Sequence, residues 1–168
     1  MAVKRNDGKV RQRDLPFEKK KEEIVAFLES RENAIMALAT CAAGQVLVRM
    51  VLVACHGLDV HFFTWGGSRK CEQIRANPRV ALCKGGVQIE GTATILGDLF
   101  SPSNTAIRGL FEERFPEAIA RWRDRPAMVL VKIEPTSVVL AGEPGEEPHL
   151  QFVDLENEVA YDEPWADR

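Results

Sequence analysis

AIMALATCAAGQVLVRMVLVACHGLDVHFFT, residues 34–64, contains three apolar runs and two short turns. Ala34–Thr40 is a run of small apolar residues, Val46–Cys55 is long and rich in β-branched side chains, and Val60–Thr64 is the third. Gly44 and Gly57 mark the turns between them. β-Branched runs joined by short glycine turns predict consecutive strands of an antiparallel meander.

Working toward the C-terminus, Gly66 and Gly67 lead into a short helical pattern beginning at Ser68, and Arg79–Cys83 and Val87–Leu96 read as two further strands around a Lys-Gly-Gly turn. The final long run, Ala127–Leu140, carries Pro135 near its middle, which predicts a bend or bulge there. Between the last two strands, Ser101 and Pro102 form a helix start, and Ile107, Leu110, Phe111 and Phe115 follow at helical spacing. Pro116 interrupts, and Glu117–Trp122 predicts a further turn or two, with Arg114, Arg121, Arg123 and Arg125 making the region locally basic. Toward the N-terminus, Leu15–Ser30 predicts an amphipathic helix with Ile24, Val25, Phe27 and Leu28 on its apolar stripe, Pro16 in its first turn and Asp14 as its cap. The fold class expected is mainly β with flanking helices. Six antiparallel strands close into a small barrel, because closure removes exposed edges.

A chain of 168 residues is long enough for one domain with its own core. Charge divides it into three parts. Residues 1–13 form a basic tail with five cations (Lys4, Arg5, Lys9, Arg11, Arg13) against Asp7; 14–142 form the barrel domain; 143–168 form an acidic arm with nine acids and one cation, Arg168. The basic tail reads as solvated rather than as a polyanion-binding arm, and a formal net charge of −3 gives no bulk attraction to nucleic acid. The arm, with "LQFVDL" and "VAYDEPW", is expected to be extended and to dock on the barrel or on a partner chain. Residues 1–23 hold no apolar signal core, and the run Met50–Cys55 is too short to span a bilayer, so a cytoplasmic protein without membrane association is expected. Cys41, Cys55, Cys71 and Cys83 have no Cys-x-x-Cys spacing and no histidine at ligand spacing, which predicts reduced thiols and no metal site.

The chemistry concentrates near the glycine pair. Arg49 interrupts an apolar strand and needs a partner or solvent. Thr64 ends the third strand, Ser68 stands where a helix N-cap belongs, and Arg69 and Lys70 follow at an end of the helix whose dipole favours anions. Free N–H groups, a hydroxyl and two cations suit a phosphate. The same residues also fit a surface loop with two solvated cations, and local physics leaves both open. Arg49 would complete the phosphate clamp if its strand pairs with the third.

Several short segments in this order resemble the FMN-binding split barrel of the pyridoxamine 5′-phosphate oxidase family: "RMVLV" at Arg49–Val53, "FFT" at Phe62–Thr64, "SRK" at Ser68–Lys70 and "QIRANPRVAL" at Gln73–Leu82. "ALAT" at Ala37–Thr40 and "VQIEGTATIL" at Val87–Leu96 resemble its flanking strands, so the likeness covers roughly residues 20–140. It implies that Arg49, Arg69 and Lys70 bind the FMN phosphate region, that Ser68 and Thr64 add hydroxyl hydrogen bonds, that the backbone of Met50, Val51 and Leu52 lines the isoalloxazine ring, and that Phe63 sits beside it. It also implies a homodimer with FMN at the subunit interface. Departures matter: the family's oxidases carry a substrate-binding lysine where this chain has Ala54, a glutamine where it has Gly86 (with Gln88 two residues on as a candidate substitute), and a C-terminal Arg-x-His motif that is absent here. The resemblance thus implies an FMN-dependent oxidoreductase that transfers a hydride to or from a small molecule or NAD(P)H. A non-catalytic flavin- or haem-binding barrel is the alternative, and a true pyridoxamine 5′-phosphate oxidase is a third reading.

Overall fold

In β3 (Gln45–His56), Val51, Val53 and Cys55 point into a core while Val46, Val48 and Met50 point out of it. This is the period of two expected of a strand with one buried face. The structure, a computed structural model, describes residues 13–125, 127–142 and 149–164. The basic stretch 1–12 and the acidic stretches 143–148 and 165–168 lie outside the described residues.

β2 (Ile35–Ala42) pairs along its length with β3, and β4 (Asp59–Trp65) returns after the turn at Gly57. α2 (Arg69–Ala76) leads to β5 (Arg79–Lys84) and β6 (Val87–Asp98). α3 (Thr105–Arg114) and α4 (Pro116–Trp122) then precede β7 (Met128–Ala141). All pairings are antiparallel, and β2, β3, β4, β7, β6 and β5 form a closed ring, β5 returning to β2. The six-stranded antiparallel barrel expected from the sequence is present. Its interior is filled by Met36, Leu38, Val53, Phe62, Leu82 and Ile133 among others.

The bulge expected at Pro135 is also present. Glu90 faces Ser137 while Gly91 faces Pro135, so Thr136 is the extra residue. Proline donates no ladder hydrogen bond, which makes a bulge its compatible place in a central strand. Gly91 is required by contact: a Cβ there would lie 2.6 Å from the Glu134 carbonyl oxygen.

α1 (Phe17–Glu29) sends Ile24 and Leu28 into the barrel core. It starts two residues later than the sequence pattern suggests. Pro16 takes the cap position with extended backbone, and Asp14 is drawn away into a two-residue strand, β1 (Arg13–Asp14), opposite Tyr161. The described part of the C-terminal arm is a hairpin. β8 (His149–Asp154) pairs with the end of β7 and with β9 (Val159–Pro164), lengthening the sheet beyond the barrel. α3 and α4 pack on the outside of the wall, where Phe111 and Ile119 cover Ala54, Met128 and Leu130. Among the described residues no helix is long and apolar enough to cross a membrane. All four cysteines are free, Cys55 and Cys71 buried, Cys41 half-buried and Cys83 exposed.

Candidate functional site

At the end of β4 the chain turns through Gly66 and Gly67, closed by a hydrogen bond from Ser68 N–H to the Trp65 carbonyl at 3.0 Å. Space is tight at Gly66, while at Gly67 only the exposed Trp65 ring stands in the way. A Cβ on Gly66 would meet Val129 Cγ1 at 3.0 Å and the Ala127 carbonyl at 3.2 Å, and one on Gly67 would press into the Trp65 ring at 2.7 Å. Arg75 Nη2, in the last turn of α2, donates to the Gly66 carbonyl at 3.0 Å and ties the turn down.

Ser68 takes the cap position of α2 with extended backbone, but its side chain makes no capping hydrogen bond. Its carbonyl accepts from the N–H groups of Cys71 and Glu72, at 2.9 and 3.1 Å. Among the described residues, the N–H groups of Arg69 and Lys70 have no acceptor. Ser68 Oγ is buried and has no hydrogen-bond partner. A buried hydroxyl beside two open N–H groups at a helix start is unusual, since buried polar atoms are nearly always satisfied.

Three cations belong to this end of the barrel: Arg69 and Lys70 follow Ser68 in α2, and Arg49 repels Lys70 from β3. Lys70 Nζ donates to Thr64 Oγ1 at 2.9 Å. Arg69 Nη2 donates to Gln45 Oε1 at 3.1 Å. Arg49 Nη1 donates to Thr40 Oγ1 at 2.6 Å and to the Leu38 carbonyl at 3.3 Å, and its Nη2 reaches Gln73 Oε1 at 3.4 Å. Burial lowers the Arg49 pKa from its ordinary value. Burial also lowers that of Lys70, with the Cys71 thiol opposing the shift and Arg49 adding to it by repulsion. Among the described residues no carboxylate pairs with Arg49, Arg69 or Lys70. Arg49 and Lys70, partly desolvated, mutually repelling and without an acid, are groups that an oxyanion would stabilise.

The strand pairing does not deliver Arg49 to this corner in the way the sequence suggests. β3 pairs with β4 only over Val53–His56, so Arg49 lies beyond the shared ladder. The link runs instead through α2. The Gln73 side chain accepts from Thr40 at 2.6 Å and from Arg49, and donates from Nε2 to the Gln45 carbonyl at 2.9 Å. Thr40, Gln45 and Gln73 were not among the candidates read from the sequence. Gln73 carried a signal, standing four residues after Arg69 and three after Lys70 on one helix face. Thr40 carried another, sharing the inward parity of Met36 and Leu38.

The remaining candidates divide by strand parity. Thr64 faces inward toward Lys70, while Phe63 turns to the other face and packs edge-on against Phe111, centroids 5.1 Å apart. Phe63 is therefore not part of the corner. Val51 is buried in the core, Met50 stands on the outer wall, and Leu52 lines a cleft at the junction of α3 and α4. Over Gln45–Leu52, β3 pairs with β2 alone, so its other backbone edge has no strand partner. Gln88 is exposed on the outer wall, opposite Cys83, which faces Ala37, which faces Met50. Within one chain it does not reach the corner. That wall is apolar: Val46, Val48 and Met50 are each more than 60% exposed, and Ile35 is 44% exposed. Among the described residues no group of His, Cys, Asp or Glu side chains is placed to hold a metal ion.

Comparison with solved structures gives the same architecture. A putative pyridoxamine 5′-phosphate oxidase from Listeria innocua is 21% identical, with a TM-score of 0.57 over 72% of this chain and 97% of that one. A FAD-binding protein from Mesorhizobium loti is also 21% identical, with a TM-score of 0.54 over 76% and 95%. The heme storage protein HutZ from Vibrio cholerae is 16% identical, with a TM-score of 0.54 over 72% and 91%. At these identities the likeness is one of fold. Comparison with curated proteins gives no significant match. Residues 21–141, most of the chain and all six barrel strands, match the family model described as pyridoxamine 5′-phosphate oxidase, and the chain belongs to that family.

Proposed function

We propose that the protein binds FMN and works as an FMN-dependent oxidoreductase on a small molecule or NAD(P)H. The observation that carries the proposal is the buried, unpartnered Ser68 Oγ at the start of α2, followed directly by Arg69 and Lys70, with Arg49 close enough to Lys70 to repel its charge. A phosphate monoester supplies what this corner lacks: acceptor oxygens for the hydroxyl and the two open N–H groups, and charge for the cations. The residues present fit the group. Arg49, Arg69, Lys70, Ser68 and Thr64 would hold the phosphate, with Gln73 and Thr40 fixing the Arg49 guanidinium. The unpaired edge of β3 at Met50–Leu52 would offer backbone donors and acceptors to the ring.

When bound, the flavin supplies two-electron redox chemistry. The chain's own part is to orient the cofactor, keep water from one side of it and stabilise negative charge with fixed dipoles and cations. No side chain near the corner is assigned as a proton donor or acceptor. A second copy docked on the wall of Val46, Val48, Met50 and Ile35 would bury an apolar patch larger than scattered surface residues explain, which supports a homodimer. Gln88 lies on the same wall.

Oxidation of pyridoxamine 5′-phosphate is the less favoured activity. Ala54, where the family's oxidases carry lysine, is fully buried beneath α3, and no cation stands there. A non-catalytic binding barrel is the second reading, supported by the fold likeness to the Vibrio cholerae heme storage protein. Titration with FMN, followed by quenching of flavin fluorescence, tests the cofactor: saturable quenching supports the proposal and free flavin throughout refutes it. Consumption of NADH or NADPH by the loaded protein with an electron acceptor then separates the enzyme from the inert binder.

A further inference from the structure

His61 is a buried titratable group that the phosphate corner does not use. It stands in β4 between Val60 and Phe62, which fill the barrel, so strand parity turns it to the outer face with Asp59 and Phe63. Across the ladder it faces Ala54 of β3 on one side and Lys132 of β7 on the other. That part of the wall lies under the helices, since Ala54 and Phe63 belong to one cluster with Phe111 of α3 and Ile119 of α4. His61 is 3% exposed, and its Nδ1 is buried with no hydrogen-bond partner among the described residues.

The place suits a neutral ring and not a charged one. In neutral imidazole Nδ1 can remain a bare lone pair, whereas in imidazolium both ring nitrogens are donors and Nδ1 becomes a charged N–H with nothing to accept from it. The charges that bear on the ring come from three strands. Lys132 of β7 and His56 of β3 oppose its protonation, while Asp59 of β4 and the Ala54 backbone favour it. Asp59 is already engaged, its Oδ2 meeting Lys132 Nζ at 3.0 Å, and Glu134 meets the same ammonium at 3.2 Å. The side chains that α3 packs on this wall, Ile107, Leu110 and Phe111, supply no counter-charge. Burial has the largest influence and holds the His61 imidazole below its ordinary pKa of 6.5.

We propose that His61 is an acid-operated latch in the wall beneath α3 and α4: neutral, it lets the two helices close on β3 and β4, and on taking up a proton it requires water, so that the helical cover loosens. The sign follows by linkage. The opened state, with His61 in water, binds the proton at the ordinary value and the closed state binds it more weakly. The cover is therefore fully held above pH 6.5 and is progressively lost as pH falls below it. Leu52 lines the junction of α3 and α4, so the same loosening reaches the β3 edge assigned above to the flavin ring. That consequence rests on the flavin proposal; the latch does not.

Hydrogen exchange read by mass spectrometry on the full chain without flavin, corrected for the pH dependence of chemical exchange, tests the latch independently of the cofactor. Between about pH 7.5 and about pH 5.5, opening of residues 105–122 should become about tenfold more frequent, the scale of one unsatisfied buried charge, while β2, β5 and α2 keep their protection. His61→Leu, which keeps an apolar bulk and takes up no proton, should abolish that response. His61→Gln, polar and uncharged, should abolish it as well, and serves if the leucine variant does not fold. Titration of the imidazole signals by NMR should place His61 below 6.5. An acid response of equal size in the parent and in a folded variant, one spread evenly over the barrel, or a His61 that titrates at or above 6.5, overturns the inference.

Discussion

Lys70 Nζ and Thr64 Oγ1 meet at 2.9 Å across a turn of two glycines, so the last inward residue of β4 and the first turn of α2 hold one another in register. The lysine is partly desolvated, faces Arg49 and has no carboxylate partner among the described residues. A half-buried cation bonded to a neutral hydroxyl would be stabilised by an anion. Arg69→Ala and Lys70→Ala should therefore each weaken FMN binding by about 1.5–3 kcal/mol, roughly ten- to a hundredfold. Fluorescence titration of each variant checks this, and an affinity equal to that of the parent contradicts the phosphate assignment.

Gln73 orients a cation without being charged. Its side chain joins Thr40, Arg49 and the Gln45 carbonyl, and it is 6% exposed. Gln73→Leu should lower FMN affinity by freeing Arg49. It should also destabilise the fold by about 1–3 kcal/mol, because buried partners are left unsatisfied. Chemical denaturation and FMN titration read the two effects separately.

The Lys70 pKa lies below its ordinary value of 10.5 in the free protein, chiefly through burial. A bound phosphate favours the charged lysine, so binding raises that pKa and couples to proton uptake. The sign follows by linkage. Affinity is full while free Lys70 is protonated and falls as pH rises through its depressed pKa. FMN affinity should decline in the alkaline range below 10.5, and more steeply in the parent than in Lys70→Arg, whose side chain stays charged. Parallel pH profiles would contradict the assignment.

Val48 is 65% exposed at the centre of the outer wall, between Val46 and Met50. Val48→Glu would bury a carboxylate in the proposed two-fold contact. It should convert the dimer to a monomer by sedimentation and reduce FMN retention with little change in the barrel's thermal transition.

Gly91→Ala should destabilise the barrel by about 1–3 kcal/mol, the usual cost of overpacking. The added methyl meets the Glu134 carbonyl at 2.6 Å, and β6 is held to the bulge in β7 on that side. The shift in denaturation midpoint measures it. The same substitution at Gly109, where nothing lies within 4 Å of the new Cβ, serves as the control.

The barrel was legible because its strands are apolar, β-branched runs of strand length and its turns carry glycine. Pro135 even located the bulge. The β8–β9 hairpin was less legible, since "LQFVDL" and "VAYDEPW" are short runs divided by charged residues and take their strand form from the edge of β7 and from β1. The three cations were legible through a charge inside an apolar strand and two more at a helix start. What holds them was not. Arg49 meets Gln73 only because β2 lies between β3 and β5 and α2 packs against it, a relation set by sheet order and invisible to local pattern. Phe63 shows the converse: it neighbours Thr64 in sequence, and strand parity alone sends it to Phe111.

The central claim is that the corner formed by Ser68, Arg69, Lys70 and Arg49 holds the phosphate of FMN. The measurement that tests it most directly is a visible absorption spectrum of the purified full chain after incubation with FMN and exhaustive ultrafiltration, beside the Arg69→Ala/Lys70→Ala variant carried through the same steps. The account predicts flavin bands retained by the parent and lost by the variant. A parent that passes through the filter colourless, or a variant as yellow as the parent, would contradict it.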